Sequence, residues 1–153
     1  MNNKKKSQLN LLKAKFKKGD ISKMDYRDCM YDFHKILFDY SEFIKDTDIK
    51  KIEIIDNNVI MTSREHGIKI ACMKGDVRIA PIETLSSDYY EKNDTRMLYN
   101  LIENNSTVFD IGANIGWYSI GISTHKKNTN VYSFEPIPKV FENLKLNLKL
   151  NKS

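Results

Sequence analysis

The stretch Val108-Phe-Asp-Ile-Gly-Ala-Asn-Ile-Gly-Trp-Tyr-Ser119 decides the fold. With the preceding Thr107, its first part to Ile111 is a compact apolar run of the kind expected for a parallel strand buried on both faces. Gly112-Ala113-Asn114-Ile115-Gly116 then makes a glycine turn, and Trp117 to about His125 reads as helix. Asn130 to Glu135 is a second strand candidate that ends in an acid. Pro136 and Pro138 stop that strand, and Pro138 suits the first turn of the next helix. Strand, glycine turn, helix and acid-tipped strand open a nucleotide-binding α/β fold.

Residues 139–151 carry a conflict, because Leu144, Leu146, Leu148 and Leu150 alternate as in a strand. Helix is the reading adopted: Val140, Phe141, Leu144 and Leu148 share one helical face, and two parallel strands require a crossover helix. Upstream, Asp88–Asn104 reads as helix, with Tyr90, Met97, Leu98, Leu101 and Ile102 as expected buried positions. Short β-rich runs between about 50 and 80, divided by Asp56-Asn57-Asn58, Glu65-His66-Gly67 and Lys74-Gly75-Asp76, predict a small antiparallel meander that Pro81 ends. Residues 7–18 form a short helix stopped by Gly19. A longer helix over about 23–45 sets Met30, Phe33, Ile36, Leu37 and Phe43 on a core-facing stripe.

Each conspicuous residue of the turn has a mechanical reason to be there. Gly112 lets the chain leave the strand sharply, and Gly116 lets the helix lie close to the sheet and leaves room for a ligand. Glu135 follows Gly112 by 23 positions, near the offset at which a carboxylate meets the hydroxyls of a ribose. The turn lacks Gly-x-Gly-x-x-Gly, and Asp110 precedes its first glycine. A dinucleotide would set phosphates over this turn, and a carboxylate about 4–6 Å away in a cleft would cost several kcal/mol. S-adenosylmethionine (SAM) has no phosphate and presents a sulfonium and an ammonium that an acid favours. The acid therefore points to SAM over NAD, and the absence of Gly-Lys-Ser/Thr rules out a P-loop.

Composition sets the limits. The chain has 153 residues, 41% hydrophobic and 29% charged, about one globular domain. Its net charge of +5 is uneven: residues 1–23 hold eight lysines against Asp20, a local +7, so the rest carries −2. The lysine-rich leader is read as solvated; with only Phe16 as an aromatic it offers no stacking platform, so a nucleic-acid partner is disfavoured. No apolar run reaches the roughly 18–20 residues of a membrane span, and no apolar segment follows the basic start, so a cytoplasmic location is expected. Cys29 and Cys72 lack metal or disulfide spacing and are expected to be reduced, buried thiols. His34, His66 and His125 stand apart in sequence, so no metal site is expected.

Val108 to Ser119, taken with Val131-Tyr-Ser-Phe-Glu-Pro136 and Glu142-Asn-Leu-Lys-Leu-Asn147, resembles the FkbM family of SAM-dependent methyltransferases. Tyr90-Glu91 and Thr95 are similar to that family as well, so the resemblance spans about residues 88–151. It implies the Rossmann-like class I methyltransferase fold and O-methylation of hydroxyls on sugars, glycans or natural products. It also implies that Asp110, Gly112, Ala113, Asn114 and Gly116 surround the methionine part of SAM and that Glu135 holds the ribose. On this reading residues 1–48 are a basic leader and helical cap and 49–87 the meander. Residues 88–153 are the first, two-stranded part of the SAM-binding domain. Five further strands, the adenine contacts, the acceptor pocket and any catalytic base would follow residue 153. The expectation is thus a truncated, inactive piece that binds SAM weakly or not at all, with a bare sheet edge open to self-association. The alternative is a non-catalytic remnant serving as an interaction module.

Overall fold

The structure is a computed structural model that describes residues 7–75 and 80–153; the start of the basic leader and the end of the meander lie outside the described residues. Two compact units are present, Met1–Phe43 and Ile44–Ser153.

The first unit holds α1 (Gln8–Lys18), α2 (Lys23–His34) and α3 (Ile36–Phe43). Ser7 caps α1 through a bond from the Asn10 N–H (3.2 Å), and Gly19, at φ 80°, turns the chain out of it. Ser22 caps α2 in the same way, accepting from the Asp25 N–H at 3.1 Å. The single helix expected over 23–45 is two, because at Lys35 the ladder shifts to a three-residue bond from the Phe38 N–H to the Lys35 carbonyl. Phe16 and Tyr26 stack at 4.4 Å between α1 and α2. The expected core stripe is not buried: Phe33, Ile36, Leu37 and Phe43 are all 45% exposed or more. Three helices of 8–12 residues are too few to enclose a core of their own. Cys29, expected to be buried, is exposed on α2, while Cys72 is half-buried and burial pushes its thiol up to about 11.

The second unit opens with β1 (Ile49–Ile55), β2 (Asn58–Ser63) and β3 (Lys69–Ala71), paired antiparallel in that order. Asp56 and Asn57 both take positive φ, the tight two-residue turn that matches strand twist. The remaining elements are α4 (Ile82–Ser87), α5 (Lys92–Leu101), β4 (Thr107–Ile111), α6 (Trp117–His125), β5 (Asn130–Phe134) and α7 (Pro138–Asn151). The helix expected from Asp88 starts at Lys92, because Asp88 (φ 68°) and Glu91 (φ 42°) are left-handed. Met97 and Leu101, expected inside, are exposed, and the fully buried residue of α5 is Thr95.

β4 and β5 run parallel, with Asp110 opposite Ser133 and Ile111 opposite Phe134. Burial of both faces, expected for β4, is not found: Phe109 and Ile111 are 62% and 75% exposed. They form an open apolar face with Tyr132 and Phe134, the rings of Phe109 and Tyr132 stacking at 5.3 Å. The opposite face, with Asp110 and Ser133, meets α6 through Ser119. One buried cluster (Ile68, Ile70, Ala80, Tyr90, Ile115, Trp117 and Ile120) joins the meander, the glycine turn and α6. The meander thus packs into the same core as the glycine turn and α6.

The structure brings together two histidines that are remote in sequence. His66 lies 5.6 Å from His125, 5.2 Å from Tyr99 and 6.1 Å from Trp117, ring centre to ring centre. Burial lowers the His66 pKa, against the pull of Glu65 and Asp48. The neutral ring is therefore favoured in the folded state, and the unfolded chain binds more protons below about pH 6.5. Stability is expected to hold above that value and to fall as the pH drops from 6.5 toward the lowered folded pKa. The urea midpoint should be lower at pH 5.5 than at 7.5, and His66→Gln should flatten the difference. An unchanged difference in that variant would assign the acid sensitivity to other groups.

Candidate functional site

The site is assembled where β4 and β5 end. Gly112, at φ 81°, bends the chain off β4. The N–H groups of Gly112 and Ala113 both donate to the Phe134 carbonyl at 2.9 Å, which ties the turn to the tip of β5. Asn114 is left-handed at φ 50°, a conformation its short polar side chain tolerates. The Gly116 N–H closes the turn on the Ala113 carbonyl at 2.8 Å, and α6 starts at once.

Glu135 lies one residue beyond β5, and both its oxygens hold backbone. Oε2 accepts from the Asn114 N–H at 3.0 Å, and Oε1 from the Ile137 N–H at 2.9 Å. One carboxylate thus links the glycine turn to the entry of α7, with further lone pairs left for a ligand. Asp110 Oδ2 accepts from Ser119 Oγ at 2.6 Å. Ser119 and Ser133 are also 2.6 Å apart; with the Ser119 proton committed to Asp110, Ser133 is the donor in that pair. Of the two acids named from the sequence, Glu135 is thus held on the glycine turn, whereas Asp110, at the adjoining strand tip, is held by Ser119 of α6.

The two glycines do different work. Gly112 faces open space: outside its own chain neighbours, no heavy atom stands within 4 Å of where a Cβ would lie. At Gly116, φ 88°, a Cβ would lie 2.6 Å from Leu144 Cδ1 of α7 and 3.3 Å from Ile120 Cδ1. The room expected at Gly116 is filled by α7, and the open space is at Gly112. A second pair of contacts was not legible from spacing. Trp117 Nε1 donates to Thr95 Oγ1 (3.0 Å), and the Tyr118 hydroxyl donates to Glu91 Oε2 (2.6 Å). Burial and then the Glu91 carboxylate push the Tyr118 hydroxyl up, so it stays a proton donor. These bonds pin the first turn of α5 and the residue before it to the first turn of α6.

A groove of about 540 Å³ runs beside β5, lined by Ser119, Ser133, Phe141, Leu144 and others, but none of Asp110, Glu135 or residues 112–116 lines it. Among the described residues no group of three or more His, Cys, Asp or Glu could hold a metal ion. No helix among them is long and apolar enough to cross a membrane.

Two carboxylates at adjoining strand tips, Glu135 with lone pairs to spare, and open space at the first glycine lie at this end of the parallel pair. The class to which the chain belongs is that of SAM-dependent methyltransferases, enzymes whose methyl donor is S-adenosylmethionine. The family model of the TRM5/TYW2 methyltransferase domain matches residues 62–153, and the chain belongs to that family. The match agrees with the sequence resemblance at the level of SAM-dependent methyl transfer and does not extend to the FkbM family. No curated protein and no solved structure matches the chain.

Proposed function

We propose that Asp110, Gly112, Ala113, Asn114, Gly116 and Glu135 form the SAM site and that the methyl acceptor is a hydroxyl of a sugar, glycan or natural product. The observation that carries the site is Glu135, whose carboxylate holds the Asn114 N–H of the glycine turn while standing at the tip of the neighbouring strand. When bound, SAM supplies an electrophilic methyl group on a sulfonium. Glu135 accepts from the ribose hydroxyls, and Asp110 sets a negative charge beside the turn where the cationic half of SAM lies. Ala113 and Asn114 line the amino-acid part, and Gly112 leaves the space. Gly116 contributes by letting α7 close against the turn. The hydroxyl acceptor rests on the likeness of the glycine turn, Phe134-Glu135-Pro136 and Glu142–Asn147 to FkbM enzymes.

A second reading, an RNA acceptor, is favoured by the TRM5/TYW2 match and by the lysines that crowd α1, with Lys15, Lys17 and Lys18 in its last turn. The site is tested by amide chemical shifts during titration with SAM, with NAD as control. Shifts are expected at residues 111–117 with SAM alone, and Asp110→Asn should weaken the response about tenfold, the worth of one charge-assisted contact. Equal responses to SAM and NAD, or SAM shifts that fall away from residues 111–117, would sink the site. Transfer of labelled methyl to RNA rather than to glycans would decide for the second reading.

A further inference from the structure

Asn147 of α7 is fully buried, and its amide spans two elements. Nδ2 donates to the Ile115 carbonyl of the glycine turn at 2.8 Å, and Oδ1 accepts from the Ala71 N–H of β3 at 2.9 Å. One turn on, Asn151 pairs with both backbone groups of Lys69: it accepts from the N–H and donates to the carbonyl, each at 2.7 Å. Its Nδ2 also lies 2.7 Å from the Asn147 carbonyl. Two side-chain amides thus take the place of a neighbouring strand along the edge of β3, satisfying groups that would otherwise invite another chain. The partners leave Asn147 a single orientation, amide nitrogen to the turn and oxygen to the meander.

We infer that Asn147 is a positioning residue for the cofactor turn: it fixes the Ile115 carbonyl against β3, so that the meander acts as the anchor from which the turn is held open for SAM. This rests on the SAM site proposed above. Three observations support it. Left-handed residues, Asn114 and Gly116, flank Ile115 on either side, and such a turn needs an external hold to keep one shape. Ile115 is itself in the core cluster with Ile68 and Ile70 of the meander segment, so packing and hydrogen bond act on the same residue. Glu135 secures the turn from the β5 side and Asn147 from the α7 side, which leaves neither flank free.

Asn147→Asp replaces the donor with an oxygen facing the Ile115 carbonyl, whereas Asn151→Ala removes the bonds to Lys69 and to the Asn147 carbonyl and leaves the Ile115 carbonyl held. In Asn147→Asp, amide hydrogen exchange at Ile115–Trp117 is expected to quicken about tenfold or more while Asp110 and Phe134 keep the unsubstituted rate, a local opening rather than global loss of stability. SAM affinity should fall about tenfold in the same variant and by less than about twofold in Asn151→Ala. Should the aspartate variant not fold, Asn147→Ser, which admits water to bridge both groups, is expected to fold and to show the same two changes at roughly a third of the size. Unchanged turn exchange in a folded Asn147 variant overturns the inference, whatever SAM does. Faster exchange with SAM binding intact overturns its cofactor role and leaves the SAM site standing. SAM shifts in the unsubstituted chain that fall away from residues 111–117 overturn the site and this role together, a result separable from the others because it appears before any substitution.

Discussion

Glu135→Ala is expected to raise the apparent dissociation constant for SAM about a hundredfold relative to the unsubstituted chain. Two bonds from ribose hydroxyls to a carboxylate, at about 1.5–3 kcal/mol each, amount to about 3 kcal/mol or more when the acceptor is deleted. The alanine also frees the N–H groups of Asn114 and Ile137, so the turn and the entry of α7 lose a shared anchor. Glu135→Gln keeps one oxygen and should fall between, about tenfold weaker. The measurement is the same shift titration, followed at residues that do not touch Glu135. An alanine variant that binds SAM as the unsubstituted chain does would remove Glu135 from the site.

Gly116→Ala is expected to destabilise the fold by about 2–5 kcal/mol in urea denaturation. The left-handed backbone at φ 88° costs a non-glycine residue about 1–2 kcal/mol, and the added methyl, 2.6 Å from Leu144 Cδ1, adds about 1–3 kcal/mol of overpacking. Leu144 is 1% exposed and cannot swing into solvent without vacating the core. Gly112→Ala is the control: at φ 81° it bears the backbone cost, but nothing beyond its chain neighbours lies within 4 Å of the new methyl. It should therefore cost only about 1–2 kcal/mol while blocking the space beside the turn. Adding Leu144→Ala to the Gly116 variant should cost less than the sum of the single changes, since the truncated side chain makes room for the methyl. Equal stabilities of the two glycine variants would show that α7 does not press on Gly116.

The β4–turn–α6–β5 order was legible because each part has a local cause. The glycines permit φ values near 80–90°, Pro138 starts α7, and Asp56-Asn57 makes the hairpin turn. The ambiguity of residues 139–151 was resolved in favour of helix by the demand of parallel pairing for a crossover. Core membership was less legible. Phe33, Leu37, Met97, Leu101, Phe109 and Ile111 all satisfy an apolar pattern and are exposed, whereas Thr95 and Asn147 are polar and fully buried. A hydrophobic pattern states which residues gain from burial, but not whether a partner surface is present to bury them. Conversely, a buried polar residue is tolerated only through partners that sequence spacing does not reveal: Trp117 for Thr95, and Ile115 with Ala71 for Asn147.

Sequence alone pointed to the class of the ligand, because charge and backbone freedom are properties of residue types: an acid just before a glycine turn disfavours phosphate there, and an acid 23 positions after it suits a ribose. Tertiary structure decided which glycine makes space and which makes contact, that Glu135 grips the turn through Asn114, and that a meander far upstream in the chain holds the same turn through α7. Those outcomes depend on distances between elements remote in the chain. Such distances follow from the packing of the whole unit and from no local stretch of it.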